Sequence, residues 1–136
     1  MAVPHIGHLA ARLRARFHAQ VQVEHTRANP KTPAAVPVKG RVVRLFRSGG
    51  SLKVGDEVEF SVHVFRPGDD CWAGPAFMRY ETFMQATHME VYLNGNPPRC
   101  EVSLDECVTI EAPSRRPQLK SSRFGYVVEL VKWKFH

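Results

Sequence analysis

Residues 57–65 alternate polar and apolar side chains without interruption, and this run constrains the fold more than any other part of the chain. A period of two is typical of a β-strand with one face buried and the other exposed. Glycine-containing turns lie on both sides of the run, at Val54-Gly55-Asp56 and at Arg66-Pro67-Gly68. The apolar positions, which we expect in the core, are Val58, Phe60, Val62 and Val64.

Other runs of the same kind precede and follow this strand. Residues 38–47 are rich in β-formers on both faces, residues 87–93 alternate again, and residues 102–110 give one or two further short strands. Residues 124–135 have the pattern of a last strand with a bend near Leu130. Several short strands with turns between them predict a mainly β fold, either a small OB-like antiparallel barrel or, as the alternative, a β-sandwich.

The chain has 136 residues, which is enough for one domain and too few for two well-supplied cores. We therefore expect a single domain over residues 1–136, with its β core at about 38–135. Residues 75–86 fit both helical and strand spacing, and we favour a short helix there.

An amphipathic helix is predicted at the N-terminus, over about residues 6–19. We expect its apolar stripe either to pack on the barrel or to mediate oligomerisation. Because residues 1–23 contain three arginines and no acidic residue, a presequence and a helix that lies on a membrane surface are two further interpretations. A short strand follows at residues 21–24. The stripe consists of Ile6, Leu9, Leu13 and Phe17, with Ala10 between.

Charge is distributed unevenly along the chain, whose formal net charge is +6. Residues 1–48 carry a net +8, residues 49–112 carry −7 and residues 113–136 carry +5. The basic ends are suited to the acidic middle, within one chain or between subunits, or to an anionic partner such as nucleic acid.

No apolar run approaches the roughly 20 residues that span a membrane, and the N-terminus lacks the apolar region of a secretory signal. We therefore expect a soluble, cytoplasmic protein. Cys71, Cys100 and Cys107 form an odd set, so three reduced thiols and one disulfide plus a free thiol both stay open.

Sequence motifs of catalysis and of metal binding are missing. The cysteines and histidines lack the close pairs of a structural zinc site, and the chain has no phosphate-binding loop or nucleophile elbow. We expect no catalytic residues, no metal and no cofactor.

One stretch of the sequence resembles a known family. Gly40–Arg47, followed by Leu52–Val58, is similar to the opening strands of netrin-module and tissue-inhibitor-of-metalloproteinase-like OB domains, and the resemblance extends over about residues 38–110. It implies an OB-type fold. The N-terminal Cys-x-Cys with which the inhibitors of this family contact metalloproteinases has no counterpart here, so the resemblance implies no function.

Basic and aromatic residues alternate at two places that are candidate partner-binding surfaces. Our leading hypothesis is a non-enzymatic binding or structural module that acts in protein–protein interaction or self-association. Single-stranded nucleic-acid binding through the basic terminal segments is an alternative. An enzyme with an unrecognised site around His63, His88 or Cys71 is another. The candidate partner-binding residues are Arg44, Phe46, Arg47, Lys132, Trp133, Lys134 and Phe135.

Overall fold

The computed structural model describes residues 5–24, 30–69 and 77–119, which contain two helices and six strands. In chain order they are α1 (His5–Arg14), β1 (Phe17–Glu24), β2 (Ala34–Ser48), β3 (Glu57–Phe65), β4 (Met78–Arg79), α2 (Tyr80–Gln85), β5 (His88–Asn96) and β6 (Arg99–Ile110).

Five of the strands pair in a closed ring. β1 pairs with β2 and β5, β2 also pairs with β3, β5 pairs with β6, and β6 meets β3 to complete the circuit. The prediction of a mainly β protein is confirmed. The prediction of a purely antiparallel sheet was wrong, because β3 runs parallel to both β6 and the short β4.

The hydrophobic core fills the inside of this ring. The alternation that the sequence places at residues 57–65 is confirmed, because all four of its apolar side chains are buried. α2 adds Phe83, which is 2% exposed, and this side chain packs with the strand residues. The other fully buried side chains of the core include Val21, Val38, Met89, Val91 and Leu93.

The N-terminal helix is shorter than expected. α1 ends at Arg14, and Phe17 is a fully buried residue of β1, paired with Ser48, instead of part of a helical stripe. The guanidinium of Arg47 explains the end of the helix. Its Nη1 donates to the carbonyl oxygens of Arg12 at 2.7 Å, Leu13 at 3.3 Å and Ala15 at 2.9 Å, which the last turn leaves without helical partners.

α1 packs on an irregular part of β6. Residues 103–106 of β6 bulge outward opposite the single residue Tyr92 of β5. Within the bulge, Ser103 Oγ donates to the carbonyl of Ala11 at 3.2 Å, and Glu106 accepts a hydrogen bond from Arg12 Nε at 2.8 Å. These two polar contacts therefore help to position the helix on the bulge.

Two further boundaries differ from the sequence-based expectation. The β core begins at Phe17 instead of residue 38, and β2 already starts at Ala34, with Pro37 opposite Ser61. The helix favoured within residues 75–86 is confirmed over Tyr80–Gln85. The strand expected at residues 124–135 lies outside the described residues. No helix among the described residues is long and apolar enough to cross a membrane.

Candidate functional site

A polar cluster is buried on the outward face of β1 and β5, where a sheet normally meets solvent. Gln20 and Glu90 are fully buried, and His18 is 2% exposed. The ladder between the two strands places Gln20 opposite Glu90 and His18 opposite Tyr92. We call these four residues the clasp.

The carboxylate of Glu90 is the centre of the clasp. Gln20 Nε2 donates to its Oε1 at 2.8 Å, and His18 Nε2 lies 3.1 Å from its Oε2. Two successive backbone N–H groups complete the set: Gln118 N donates to Oε1 at 2.8 Å and Leu119 N to Oε2 at 2.6 Å. Burial raises the pKa of Glu90, but the hydrogen bonds from these four donors outweigh it and hold the pKa below its usual value. The carboxylate is therefore ionised at neutral pH and accepts all four hydrogen bonds.

Residues 113–119, which we call the strap, lie over this face. Ser114 exchanges two hydrogen bonds with the amide of Gln20: Ser114 N donates to Oε1 at 2.8 Å, and Gln20 Nε2 donates to Ser114 Oγ at 2.8 Å. The hydroxyl of Tyr92 donates to the carbonyl of Leu119. In each of these hydrogen bonds the strap contributes a main-chain atom, except in the one that the Ser114 hydroxyl accepts from Gln20.

Aromatic rings support the imidazole of the clasp. The ring of His18 stacks on Tyr92, with centroids 3.9 Å apart and planes inclined by 18°. Phe46 contacts the same imidazole, with ring centroids 4.8 Å apart. The rings fix the orientation of His18, so that its Nε2 is directed at Glu90.

The clasp holds the strap by hydrogen bonds to its main chain. A histidine and a carboxylate in contact also occur in acid–base catalysis. Here both side chains are buried, and both carboxylate oxygens accept hydrogen bonds from donors. Two consecutive main-chain N–H groups of a bent segment meet the one carboxylate.

The residues that we proposed for partner binding have separate roles. Arg47 caps α1, Phe46 packs on His18, and Arg44 lies on β2 opposite Gln20, next to the clasp. Residues 132–135, the other part of the prediction, lie outside the described residues. In the predicted helix stripe, Leu13 is half-buried, and the side chains of Ile6 and Leu9 lie outside the described part of the chain.

The residues of the enzymatic hypothesis are not gathered at one place. His63 lines a cavity of about 260 Å³ between β3 and β6, together with Cys107, and its ring lies 5.1 Å from that of Phe77. His88 is not among the residues that line this cavity, and its Nδ1 lies 3.0 Å from the hydroxyl of Thr87. Cys71 lies outside the described residues.

Within the described ranges, no three His, Cys, Asp or Glu side chains group as a metal site. Cys100 and Cys107 are not in a disulfide. Cys100 is buried, and burial raises the pKa of its thiol, although the charge of Arg16 opposes this.

Sequence reasoning missed the clasp. In the sequence Glu90 lies between the apolar residues Met89 and Val91, which is the pattern of a strand with one exposed face, so no local signal marked this carboxylate as buried. Its partners come from β1 and from the strap, about 70 and about 30 residues away in the sequence.

Comparison with known proteins gives no relatives: no protein-family model, no curated protein and no solved structure matches the chain.

Proposed function

We propose that the protein is a non-catalytic protein-binding module built on an OB-like barrel, with the outward face of β1 and β5 as its docking surface for a bent polypeptide segment. One observation carries this proposal. The buried carboxylate of Glu90 accepts hydrogen bonds from the consecutive main-chain N–H groups of Gln118 and Leu119. In this structure the chain's own strap occupies the docking surface.

The order of the strands supports the OB-like assignment. β1, β2, β3, β5 and β6 form a five-stranded ring in which the first strand pairs with the second and the fourth, and the third lies parallel to the fifth. α2 lies in the connection between the third and fourth ring strands. This arrangement is consistent with a five-stranded Greek-key barrel, and the resemblance to netrin-module domains points the same way.

The energetics favour recognition of main chain. Hydrogen bonds between a carboxylate and backbone N–H groups are charge-assisted and about twice as strong as neutral ones. Glu90 and Tyr92 hydrogen-bond to backbone atoms of the strap, so its exposed side chains, such as Arg115, are not needed for these hydrogen bonds. Peptides of other sequence that follow the same path would satisfy the same groups.

The test uses the full chain with a weakened strap. Gln118→Pro removes the N–H that Oε1 of Glu90 accepts, whereas the matched control Gln118→Ala retains it. Binding of a fluorescein-labelled peptide with the sequence of residues 112–123 is then measured by anisotropy. A strap tethered next to its own site has an effective concentration in the millimolar range, so wild-type protein and Gln118→Ala should bind the peptide at least tenfold more weakly than Gln118→Pro.

A second variant distinguishes the docking surface from non-specific binding. Glu90→Gln combined with Gln118→Pro leaves the strap released and removes the carboxylate, so the peptide should no longer bind. If Gln118→Pro keeps the circular dichroism spectrum of the wild type and still does not bind the peptide, the proposed docking surface is wrong.

A further inference from the structure

Basic residues of β2 and of the strap are connected through Gln20 of β1. Arg44 of β2 lies directly opposite Gln20, and the amide of Gln20 in turn holds Ser114 of the strap. Ser114 is followed by Arg115 and Arg116, which are both exposed. Neither β2 nor the strap contains an acidic residue.

Arg44 is distinguished from the neighbouring arginines by its hydrogen bonding. Its Nε is buried and has no hydrogen-bond partner among the residues that the structure describes. Arg41, by contrast, donates to the carbonyl of Gly55, and Arg47 donates to three carbonyls at the end of α1. A guanidinium carries its charge at any physiological pH, so a buried Nε–H without an acceptor is a strong indication of a missing partner.

The nearby carboxylate of the clasp does not serve as that partner. Glu90 lies on the far side of β1 from β2, and its two oxygens already accept hydrogen bonds from four donors. The acceptor for Arg44 therefore has to come from outside the clasp.

We infer that Arg44, with Arg115 and Arg116, forms a binding site for a phosphate group at the junction of β2 and the strap. The planar donors of arginine match the oxygens of phosphate, and three arginines suit a group that carries more than one negative charge. The half-buried ring of Phe46 lies two residues from Arg44 on the same strand. This site is additional to the proposed peptide-docking surface, and it requires that the strap be seated as it is in this structure.

The phosphate belongs to a small ligand or to the backbone of a nucleic acid, and two probes distinguish these sources. Pyrophosphate binding to the full chain is measured by calorimetry, and binding of a labelled single-stranded oligothymidylate by anisotropy, both at about 50 mM salt. Binding of pyrophosphate alone identifies a small phosphorylated ligand. Binding of the oligonucleotide, with an affinity that falls steeply as salt rises, identifies a nucleic-acid backbone.

Variants connect the binding to the inferred site. Arg44→Gln should lower the affinity for the bound probe at least tenfold. For the oligonucleotide it should also reduce the slope of log affinity against log salt by about 1. Arg44→Lys, which retains the charge but not the planar set of donors, should have an affinity between those of the wild type and Arg44→Gln. Arg14→Gln, at an exposed position of α1, is the matched control and should change the affinity less than twofold.

The double variant Arg115→Gln/Arg116→Gln changes only exposed strap side chains, so it tests the site even if Arg44→Gln fails to fold. It too should weaken the probe at least tenfold. The inference is overturned if wild-type protein binds neither probe, or if the double variant or a folded Arg44→Gln binds as tightly as the wild type.

Discussion

His18 Nε2 lies 3.1 Å from a carboxylate oxygen of Glu90, although the two residues are 72 positions apart in the sequence and both are buried. The contact joins β1 to β5 on the side of the sheet that faces away from the core. The same carboxylate binds the strap, so one buried charge ties two strands and a later segment of the chain together. The strap's position therefore depends on Glu90 as well as on Gln20, which makes two hydrogen bonds with Ser114.

Replacing Glu90 should destabilise the protein and release the strap. In Glu90→Gln an amide NH2 group replaces one carboxylate oxygen. This group cannot accept a hydrogen bond, so buried donors lose their partners. The expected loss in the free energy of unfolding is about 3 kcal/mol, measured by urea denaturation. Hydrogen exchange should show that the amides of Gln118 and Leu119 lose their protection.

A matched substitution checks that the effect belongs to the clasp. Glu101 is exposed, so Glu101→Gln makes the same change of charge and should alter stability by less than about 0.5 kcal/mol. Undiminished protection of both strap amides in Glu90→Gln would contradict the role that we assign to the carboxylate.

Glu90 should also make stability depend on pH. Burial raises its pKa, but the hydrogen bonds from His18, Gln20, Gln118 and Leu119 lower it further, and the net pKa in the folded protein lies below the usual value of about 4.3. An acid whose pKa is depressed on folding contributes stability above its unfolded pKa and loses it as pH falls through the folded pKa.

The difference in unfolding free energy between wild type and Glu90→Gln is the quantity to measure. We expect it to show no dependence on the ionisation of Glu90 between pH 5 and pH 7, and to shrink as the pH falls below about 4.3. A difference that grew on acidification would mean that the folded pKa is raised instead.

The sequence predicts the side chains inside the ring of strands better than those outside it. The alternation at residues 57–65 identifies buried side chains because one face of a strand must meet the core, and this needs no knowledge of distant residues. Phe17 was placed on a helix because its spacing from Leu13 is helical. The helix ends earlier because Arg47, more than 30 positions away, takes the carbonyls of its last turn.

The clasp could not be predicted for a similar reason. Gln20 and His18 occupy the polar positions of an alternating strand, which normally marks an exposed face. Both are buried in the structure, where the strap returns after β6 and binds Gln20 through Ser114. Nothing in the local pattern of β1 or β5 encodes that return.

Arg47 should be important for the junction between α1 and β1. Arg47→Ala leaves three carbonyls of the helix end without their shared donor, and we expect a loss of about 2 kcal/mol, together with faster proteolysis in the helix. Arg14→Ala removes a charge from the same end of the helix but at an exposed position, and it should cost less than about 0.5 kcal/mol. Equal effects of the two substitutions would show that charge near the helix end, rather than capping, matters.

Cys100 should be protected from alkylation in the folded protein. Its side chain is buried, and burial raises the pKa of the thiol although the charge of Arg16 opposes this, so little thiolate exists near neutral pH. We expect iodoacetamide at pH 8 to label Cys100 at least 100-fold more slowly in buffer than in 8 M urea, followed by mass spectrometry of the peptides. Cys107, which is half-buried, provides an internal comparison in the same sample, and Cys100→Ser identifies the signal. Labelling of Cys100 in buffer at the rate seen in urea would mean that the start of β6 opens readily. The hairpin between β5 and β6 would then not be a stable part of the ring of strands.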